Sequence, residues 1–463
     1  MELDAVVLAR IQFAFTVSFH IIFPTFTIGL SAWIATLLVI WRRTGNVRYQ
    51  ELARFWTRIF AVSFAMGVVS GIVLSYQFGT NWSRFSVVTG NVIGPLIGYE
   101  VLTAFFLEAT FLGILLFGWN RVPPTLHVGA AILVAVGTLF SAFWILSANS
   151  WMQTPAGHEI IDGIAYPVDW LAVVFNPSFP YRLAHMVIAA YLTTSFVVLA
   201  TGARYLIAGR DRDHAMIMVR MGLGMAILLA PLQAVVGDIH GQHTAEFQPA
   251  KIAAIEAHWD GARPAPLVLF ALPDEKNETN RYEIAIPGVA SLFITHSMEG
   301  LFPGLKDFPV ENRPPVWGPF FGFRIMVGVG LAMIAMAFWG GFLWWRGRLG
   351  GARLYLRLAS FTWPLGFVAV LAGWTVTEQG RQPWLATGIL RTMDAISPVS
   401  AAQVATTLVL FVLVYSVVFT AGIVYINRLI NKGPTPEDAL AEGVPNRPLT
   451  GATSPDAPVG AEI

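Results

Sequence analysis

Long apolar runs alternate with short polar connections along this chain. About nine runs approach the ~20 residues that a helix needs to cross the ~30 Å hydrocarbon core of a bilayer. No segment shows the apolar–polar alternation of a membrane strand, so the runs should satisfy their backbone hydrogen bonds as helices. The pattern predicts an all-α, polytopic membrane helical bundle. The helices are expected at roughly residues 11–41, 59–77, 94–119, 126–148, 183–208, 217–237, 320–345, 355–376 and 402–427.

The polar connections divide the chain into four regions. Residues 1–237 hold the first six predicted helices, and residues 320–432 hold the last three. Between them, residues 238–319 form the one large polar insertion, predicted to be a functional loop with a short amphipathic helix in "AKIAAIEAHWD". Residues 433–463 contain Pro and Gly and are predicted to be a disordered tail. The N-terminal "MELDAVVLARIQF" lacks the basic start of a signal peptide, so the first run should be retained as an anchor.

Composition agrees with a bilayer protein and excludes several kinds of site. The chain is 55% hydrophobic and only 12% charged, far from the balance of a soluble domain. Its formal charge of +1 and the lack of a basic stripe give no indication of nucleic-acid binding. With no Cys, disulfides, cysteine-ligated iron–sulfur clusters and thiolate-ligated haem are excluded. Any metal must be held by His, Met or carboxylate side chains.

The arginines are concentrated in alternate loops, which predicts the orientation. By the positive-inside rule, the loops rich in Arg are cytoplasmic. The N-terminus, residues 238–319 and "GRQPW" should then face outward, and the C-terminal tail should be cytoplasmic. The basic loops carry Arg42, Arg43, Arg48, Arg54, Arg58, Arg204, Arg210, Arg212, Arg220, Arg346, Arg348, Arg353 and Arg357, with Arg121 after the third helix; the opposite short loops carry Arg84, Arg182, Arg381 and Arg391.

Two histidines and one methionine are candidate metal ligands. Of the nine His, only His20 and His185 fall inside predicted spans, where ionisable side chains are costly and usually face an interior site. Met326 lies at a depth similar to that of His185, and a His–Met pair can hold a low-spin haem. A structural role for a lone His, and simple packing for Met326, remain the alternatives. Arg324 lies near the same surface and could pair with a haem propionate.

Carboxylates form the other group of candidates. The run "NVIGPLIGYEVLTAFFLEATFLG" places Glu100 and Glu108 eight residues apart, which is ~12 Å along a helix with directions ~80° apart. Buried acids without partners are protonated or destabilising, so this pair indicates proton handling or metal ligation. In "GWTVTEQGRQPW", Glu378 could ligate iron weakly and Arg381 could neutralise a propionate or Glu378 itself. A capped helix end with a surface ion pair is the alternative.

The chain resembles subunit I of the cytochrome bd-type quinol oxidases over nearly its whole length. The resemblance is carried by "RIQFAFTVSFHIIFP", "QFGTNWS", "EVLTAFFLEATFLG", "ILSANSWMQTP", "KIAAIEAHWD", "FRIMVG" and "GWTVTEQGRQPW". The outward loop resembles the short form of the family's quinol loop, as in the cyanide-insensitive branch. The resemblance implies a subunit of a terminal respiratory oxidase, multi-pass in the bacterial inner membrane.

The resemblance also implies roles for the candidate residues. His185 and Met326 would ligate a low-spin haem b, with Arg324 in support. His20 and Glu378 would be axial ligands of two high-spin haems, one haem b and the other haem d or a further haem b. The remaining roles are as follows: Glu100 beside the high-spin pair, Trp374 packed among the haems, Glu108 on a cytoplasmic proton path with Ser141 as a weaker candidate, and Lys251 with Glu256 at the quinol site.

The implied reaction follows from these positions. Ubiquinol or menaquinol would be oxidised at the outer face, electrons would pass through three haems, and O2 would be reduced to water with cytoplasmic protons. This reaction would be electrogenic without a pump. Subunit II and a small single-helix subunit are the implied partners. The rival interpretation is a haem-free ion or solute transporter that uses Glu100, Glu108 and His20 as a relay, with discontinuous helices and symmetric halves.

Overall fold

The computed structural model describes residues 4–434, and long helices dominate it. Eight helical segments are long and apolar enough to span a membrane, which confirms the predicted helical membrane bundle. The tail predicted to be disordered lies outside the described residues except for Gly433 and Pro434. The spanning helices are α1 (Ala5–Thr44), α2 (Val47–Thr80), α3 with α4 (Ser83–Glu100 and Phe106–Phe117), α5 (Pro124–Gln153), α6 with α7 (Trp170–Val174 and Phe179–Ile207), α8 (Arg212–Phe247), α11 (Trp317–Trp345) and α14 (Ala401–Lys432).

Local sequence explains the tight connection between the first two helices. Gly45 ends α1 in the left-handed conformation, with φ at 68°, and its amide donates to the carbonyl of Trp41. This is the usual role of glycine at a helix C-terminus. Asn46 then caps α2 by accepting a hydrogen bond from the amide of Arg48. The chain therefore reverses over two residues, and α1 and α2 pack as an antiparallel pair.

Helix α1 lies at the centre of the bundle. In its most apolar stretch 78% of residues are buried, against 11% for α14. Leu30, Ile34 and Leu37 of α1 pack with Trp56 and Phe60 of α2 in the largest core cluster. His20 lies on the same helix and is partly buried.

The helix predicted at 355–376 is two shorter helices, α12 (Arg353–Ala359) and α13 (Leu365–Gln379). The break falls at "SFTWP", because Pro364 cannot continue a helix and disfavours helical backbone in the residue before it. At 1.5 Å per residue, α13 is only ~22 Å long. The expected count of nine spanning helices was therefore approximate. Helix α13 packs against α7 and α11.

The extramembrane segments are compact hairpins and short helices. Helix α8 continues to Phe247 instead of ending near 237, so the predicted loop is partly helical. His240 and His243, which the sequence assigned to that loop, consequently lie in a long apolar helix. The short elements are β1 (His158–Ile161), β2 (Ile164–Pro167), α9 (Pro249–Glu256), β3 (Leu267–Asp274), β4 (Thr279–Ile286), α10 (Val289–Thr295), β5 (Trp384–Ala386) and β6 (Leu390–Arg391), with the strands paired antiparallel as β1–β2, β3–β4 and β5–β6.

Candidate redox site

His185 and Met326 each face a glycine on a neighbouring helix. A Cβ atom added to Gly237 would lie 3.4 Å from Cε1 of His185, and one added to Gly373 would lie 2.9 Å from Sδ of Met326. The Nδ1 atom of His185 is buried and has no hydrogen-bond partner within residues 4–434. The two glycines therefore leave room for these side chains, and Nδ1 of His185 is uncommitted within the described residues.

Glu378 lies at the end of α13 in a buried polar network. Its Oε1 accepts a hydrogen bond from Nδ2 of Asn149 at 3.2 Å, and its Oε2 pairs with Arg381. The Arg381 side chain is only 3% exposed. The guanidinium is therefore buried and the Glu378 side chain, at 27%, is partly exposed, which differs from the fully exposed ion pair that the sequence had left as an alternative.

Arg182 was not singled out as a site residue, because it was counted with the outward loops. It lies in the first turn of α7, is 7% exposed, and donates to Oδ1 of Asn149. Its guanidinium lies 5.9 Å from the ring centroid of Trp374. The spacing in the sequence could have indicated this residue, because Arg182 precedes His185 by three positions and so lies on the same face of the helix.

The two guanidiniums have more donors than the protein uses. Nε of Arg182, and Nε and Nη1 of Arg381, are buried without an acceptor among the described residues. The carboxylate of Glu378 is the negative charge that neighbours both Arg182 and Arg381. Two guanidiniums beside one carboxylate leave an excess of positive charge. Buried charges are normally paired, and this arrangement fits an anionic group such as a carboxylate.

Lys251 borders this region from α9. It is 5% exposed, and its Nζ donates to Oε1 of Gln153 at 2.7 Å and of Gln248 at 2.6 Å. Burial, followed by the charges of Arg182 and Arg381, holds the pKa of Lys251 well below its usual value. The lysine therefore faces the buried network and amide partners rather than open solvent.

Glu256 and Arg324 form a separate ion pair that joins the loop to α11. Nη2 of Arg324 donates to Oε2 of Glu256 at 2.7 Å, and the same guanidinium donates to the backbone carbonyls of Ile255, Val268 and Phe320. All three guanidinium nitrogens are thus engaged by protein. The expected contact of Arg324 with a propionate stays a prediction.

Lys251 and Glu256 do not converge. Five residues along a helix correspond to a rotation of ~140° between their directions. Lys251 accordingly reaches Gln153 of α5, whereas Glu256 reaches Arg324 of α11. A ligand that touches both side chains would have to extend across α9.

Glu100 and Glu108 flank a π turn at Val101–Phe105. Such a turn absorbs about one extra residue, so the two acids differ in direction by ~20° instead of ~80°. Both consequently face α5. Ser141 donates to Oε1 of Glu100 at 2.7 Å, and Cγ of Glu108 would lie 2.7 Å from a Cβ atom at Gly137, one turn away on α5. Oε1 of Glu108 is buried without a partner within the described residues.

The residues present fit haem better than a bare metal ion. Residues 4–434 contain no cluster of three or more His, Asp or Glu side chains arranged to hold a metal. They do contain separate His and Met side chains with adjoining glycines, and buried guanidiniums with free donors. Haem iron needs only one or two axial protein ligands, and its propionates are anions.

These features define a polytopic helical membrane protein with sites suited to haem. The model of the cytochrome bd terminal oxidase subunit I family matches residues 8–434. The chain is 35% identical to cytochrome bd ubiquinol oxidase subunit 1 of Bacillus subtilis (strain 168), over 93% of this chain and 94% of the relative. It is 32% identical to cytochrome bd-II ubiquinol oxidase subunit 1 of Escherichia coli (strain K12), over 93% and 97% respectively. The chain belongs to the cytochrome bd terminal oxidase subunit I family.

A solved structure agrees with this assignment. The bd oxidase from Geobacillus thermodenitrificans matches with a TM-score of 0.86 and 32% identity, over 94% of this chain and 100% of that chain. The protein is thus a multi-pass membrane subunit of a terminal quinol oxidase, an enzyme family that uses haem cofactors, quinol, O2 and a subunit II. The transporter interpretation is replaced by this assignment.

Proposed function

We propose that this subunit oxidises quinol at the outer membrane face and reduces O2 to water with three haems and cytoplasmic protons, generating membrane potential without pumping. A low-spin haem b would be held by His185 and Met326. High-spin haems would be held by His20 and Glu378, one haem b and the other haem d or a further haem b. When bound, these groups would supply the one-electron and oxygen chemistry.

One observation carries this proposal, namely the unpaired guanidinium donors beside the candidate ligands. Arg182 lies one turn from His185 on α7, and Arg381 pairs with Glu378. Both retain buried N–H groups without acceptors among the described residues. Propionate carboxylates would satisfy those donors by charge-assisted hydrogen bonds and balance the excess positive charge.

The optical spectrum of the purified complex with subunit II tests the proposal. Reduced-minus-oxidised spectra should show one low-spin and two high-spin haem components, and extraction should yield three haems per complex. A colourless complex, isolated under conditions that retain both subunits, would contradict the proposal.

We expect Arg182→Gln to lower the midpoint potential of an adjacent haem, because removing a buried positive charge stabilises the oxidised state. The shift should be on the order of tens of millivolts for a charge within ~10 Å at an effective dielectric constant of ~20. Arg84→Gln is a suitable control, since Arg84 is exposed at the start of α3. Spectroelectrochemical titration measures both variants, and equal potentials would contradict the assignment.

Quinol oxidation is proposed to occur beside α9, with Glu256 as the proton acceptor. Its carboxylate lies at the outer loop and is held by Arg324, and general-base action requires a carboxylate within hydrogen-bond reach of the quinol hydroxyl. Lys251 acts from the opposite side of the helix, where it hydrogen-bonds Gln153 and Gln248. The proposed substrate is ubiquinol or menaquinol.

Glu256→Ala and Lys251→Ala should both slow quinol oxidation. For Glu256→Ala the decrease should be at least ~100-fold, the usual contribution of a general base. Oxygen consumption with an artificial electron donor should fall much less. Glu283→Ala and Lys306→Ala are matched controls, because both side chains are exposed on the same loop. Wild-type kinetic parameters for quinol in both test variants would place the quinol site elsewhere.

The proposed proton route follows α5. Three residues of α5 contact the three acids: Gly137 adjoins Glu108, Ser141 hydrogen-bonds Glu100, and Asn149 hydrogen-bonds Glu378. The acids therefore follow one another along α5 from the predicted cytoplasmic side outward. The Arg-rich loops support a cytoplasmic C-terminus and an outer N-terminus in a bacterial inner membrane. A small single-helix subunit is a further proposed partner.

A further inference from the structure

The ring of His20 is hydrogen-bonded to a serine on the neighbouring helix. Its Nδ1 atom lies 3.1 Å from Oγ of Ser70 on α2. The hydroxyl of Ser70 is itself directed to backbone carbonyls one turn back, with Oγ 2.9 Å from the carbonyl oxygen of Met66 and 3.0 Å from that of Gly67. Ser70 is fully buried, at 0% exposure, so no solvent competes for these contacts.

This pattern favours the tautomer of His20 that carries its proton on Nδ1. Carbonyl oxygens only accept, so the single hydroxyl proton of Ser70 is used by Met66 or Gly67. In this arrangement Oγ faces His20 with its lone pairs, and Nδ1 supplies the proton. In the neutral imidazole, Nε2 is left with the free lone pair, which is the form that binds a metal.

Gly71, the next residue on α2, leaves room for the ring. A Cβ atom at this position would lie 3.1 Å from Cε1 and 3.6 Å from Nδ1 of His20. A methyl group would therefore press on the imidazole and tilt it. Ser70 and Gly71 act on the same ring by two independent contacts.

We propose that Ser70 and Gly71 are positioning residues for His20: Ser70 accepts the Nδ1 proton and so presents Nε2 to iron, while Gly71 admits the ring in that orientation. The inference rests on the proposed function, in which His20 is an axial haem ligand. A hydrogen bond from the distal nitrogen raises the donor strength of a ligating histidine and fixes its orientation. Ser70 should therefore tune the iron that His20 binds.

Helix α2 offers matched controls for both residues. Ser75 makes the same kind of bond to a backbone carbonyl one turn back, with Oγ 3.1 Å from the carbonyl oxygen of Gly71, but its side chain is exposed. Gly79 is exposed, and a Cβ atom there would meet nothing within 4 Å. Ser75→Ala and Gly79→Ala thus repeat the chemical changes without touching His20.

The test uses the purified two-subunit complex with its haems bound. Ser70→Ala should retain the high-spin haem but lower the frequency of its iron–histidine stretching mode in resonance Raman spectra and raise its midpoint potential, because the ligand becomes a weaker donor. Turnover should fall about 10-fold, the lower end for loss of such a partner. Gly71→Ala should shift the same Raman mode by tilting the ring, and both control variants should match the wild type.

The outcomes separate this inference from the ligand assignment. If His20→Ala removes a high-spin haem component but Ser70→Ala matches Ser75→Ala in both Raman frequency and potential, Ser70 does not position the ligand and the inference is overturned. If His20→Ala leaves every haem component unchanged, the assignment of His20 as a ligand is wrong, irrespective of Ser70.

Discussion

His185→Ala and Met326→Leu should each abolish the low-spin haem signal, because a six-coordinate low-spin iron of the His–Met type needs both axial atoms. Nδ1 of His185 is unpartnered within the described residues, and Sδ of Met326 adjoins Gly373, where a Cβ atom would lie 2.9 Å from it. The measurement is the reduced-minus-oxidised spectrum of the purified complex.

Met333→Leu provides the control on α11. Met333 lies seven residues beyond Met326 on the same helix and is buried in an apolar cluster. A Leu there conserves volume and should cost less than ~1.5 kcal/mol of stability, with the low-spin signal intact. High-spin absorption should partly persist in both ligand variants. An unchanged low-spin spectrum in His185→Ala and Met326→Leu would rule out this pair as the ligands.

The sequence was sufficient for the membrane topology because a bilayer imposes a simple rule on length and polarity. Apolar runs of about 20 residues had to be helices, and eight such helical segments are found. The count of nine was approximate, because the run predicted at 355–376 is divided before Pro364, where the backbone cannot remain helical. Hydropathy averages over a window and does not register a single residue that breaks a helix.

The candidate site was predictable only where chemistry is concentrated in one residue. His20, His185 and the membrane carboxylates stood out because ionisable groups are rare in apolar helices. Arg182 did not, because its importance arises from contact with Asn149 and Trp374, which are distant in sequence. Arg324 was expected near a propionate, a contact that stays a prediction, and tertiary structure engages it with Glu256 and loop carbonyls.

The directions of Glu100 and Glu108 are a second feature that the sequence alone did not predict. Regular α-helical geometry separates their directions by ~80°. The π turn at Val101–Phe105 removes most of that difference, and both acids then face α5. No residue pattern in "VLTAF" predicts a π turn, although such turns are frequent at functional sites. The sequence indicated two buried acids, and the structure adds that both face α5, as a proton relay along that helix would require.

Glu108→Gln should keep all haems and bind carbon monoxide normally, but slow the proton-coupled steps of oxygen reduction. A bilayer interior delivers protons only through titratable groups or water, and Glu108 lies about two turns from Glu100 towards the predicted cytoplasmic side. Glutamine has nearly the same shape and cannot release a proton. The loss of turnover should be on the order of 100-fold.

Glu100→Gln is the informative comparison, because Glu100 is hydrogen-bonded to Ser141 and lies farther along α5 towards Asn149 and Glu378. It should slow turnover and also perturb the high-spin spectra, whereas Glu108→Gln should leave those spectra unchanged. Glu299→Gln, on the exposed outer loop, should behave as the wild type. The measurement is the single-turnover reaction of the reduced complex with O2, recorded together with membrane-potential generation. Normal turnover with normal charge movement in Glu108→Gln would mean that the protons reach the oxygen site by another route.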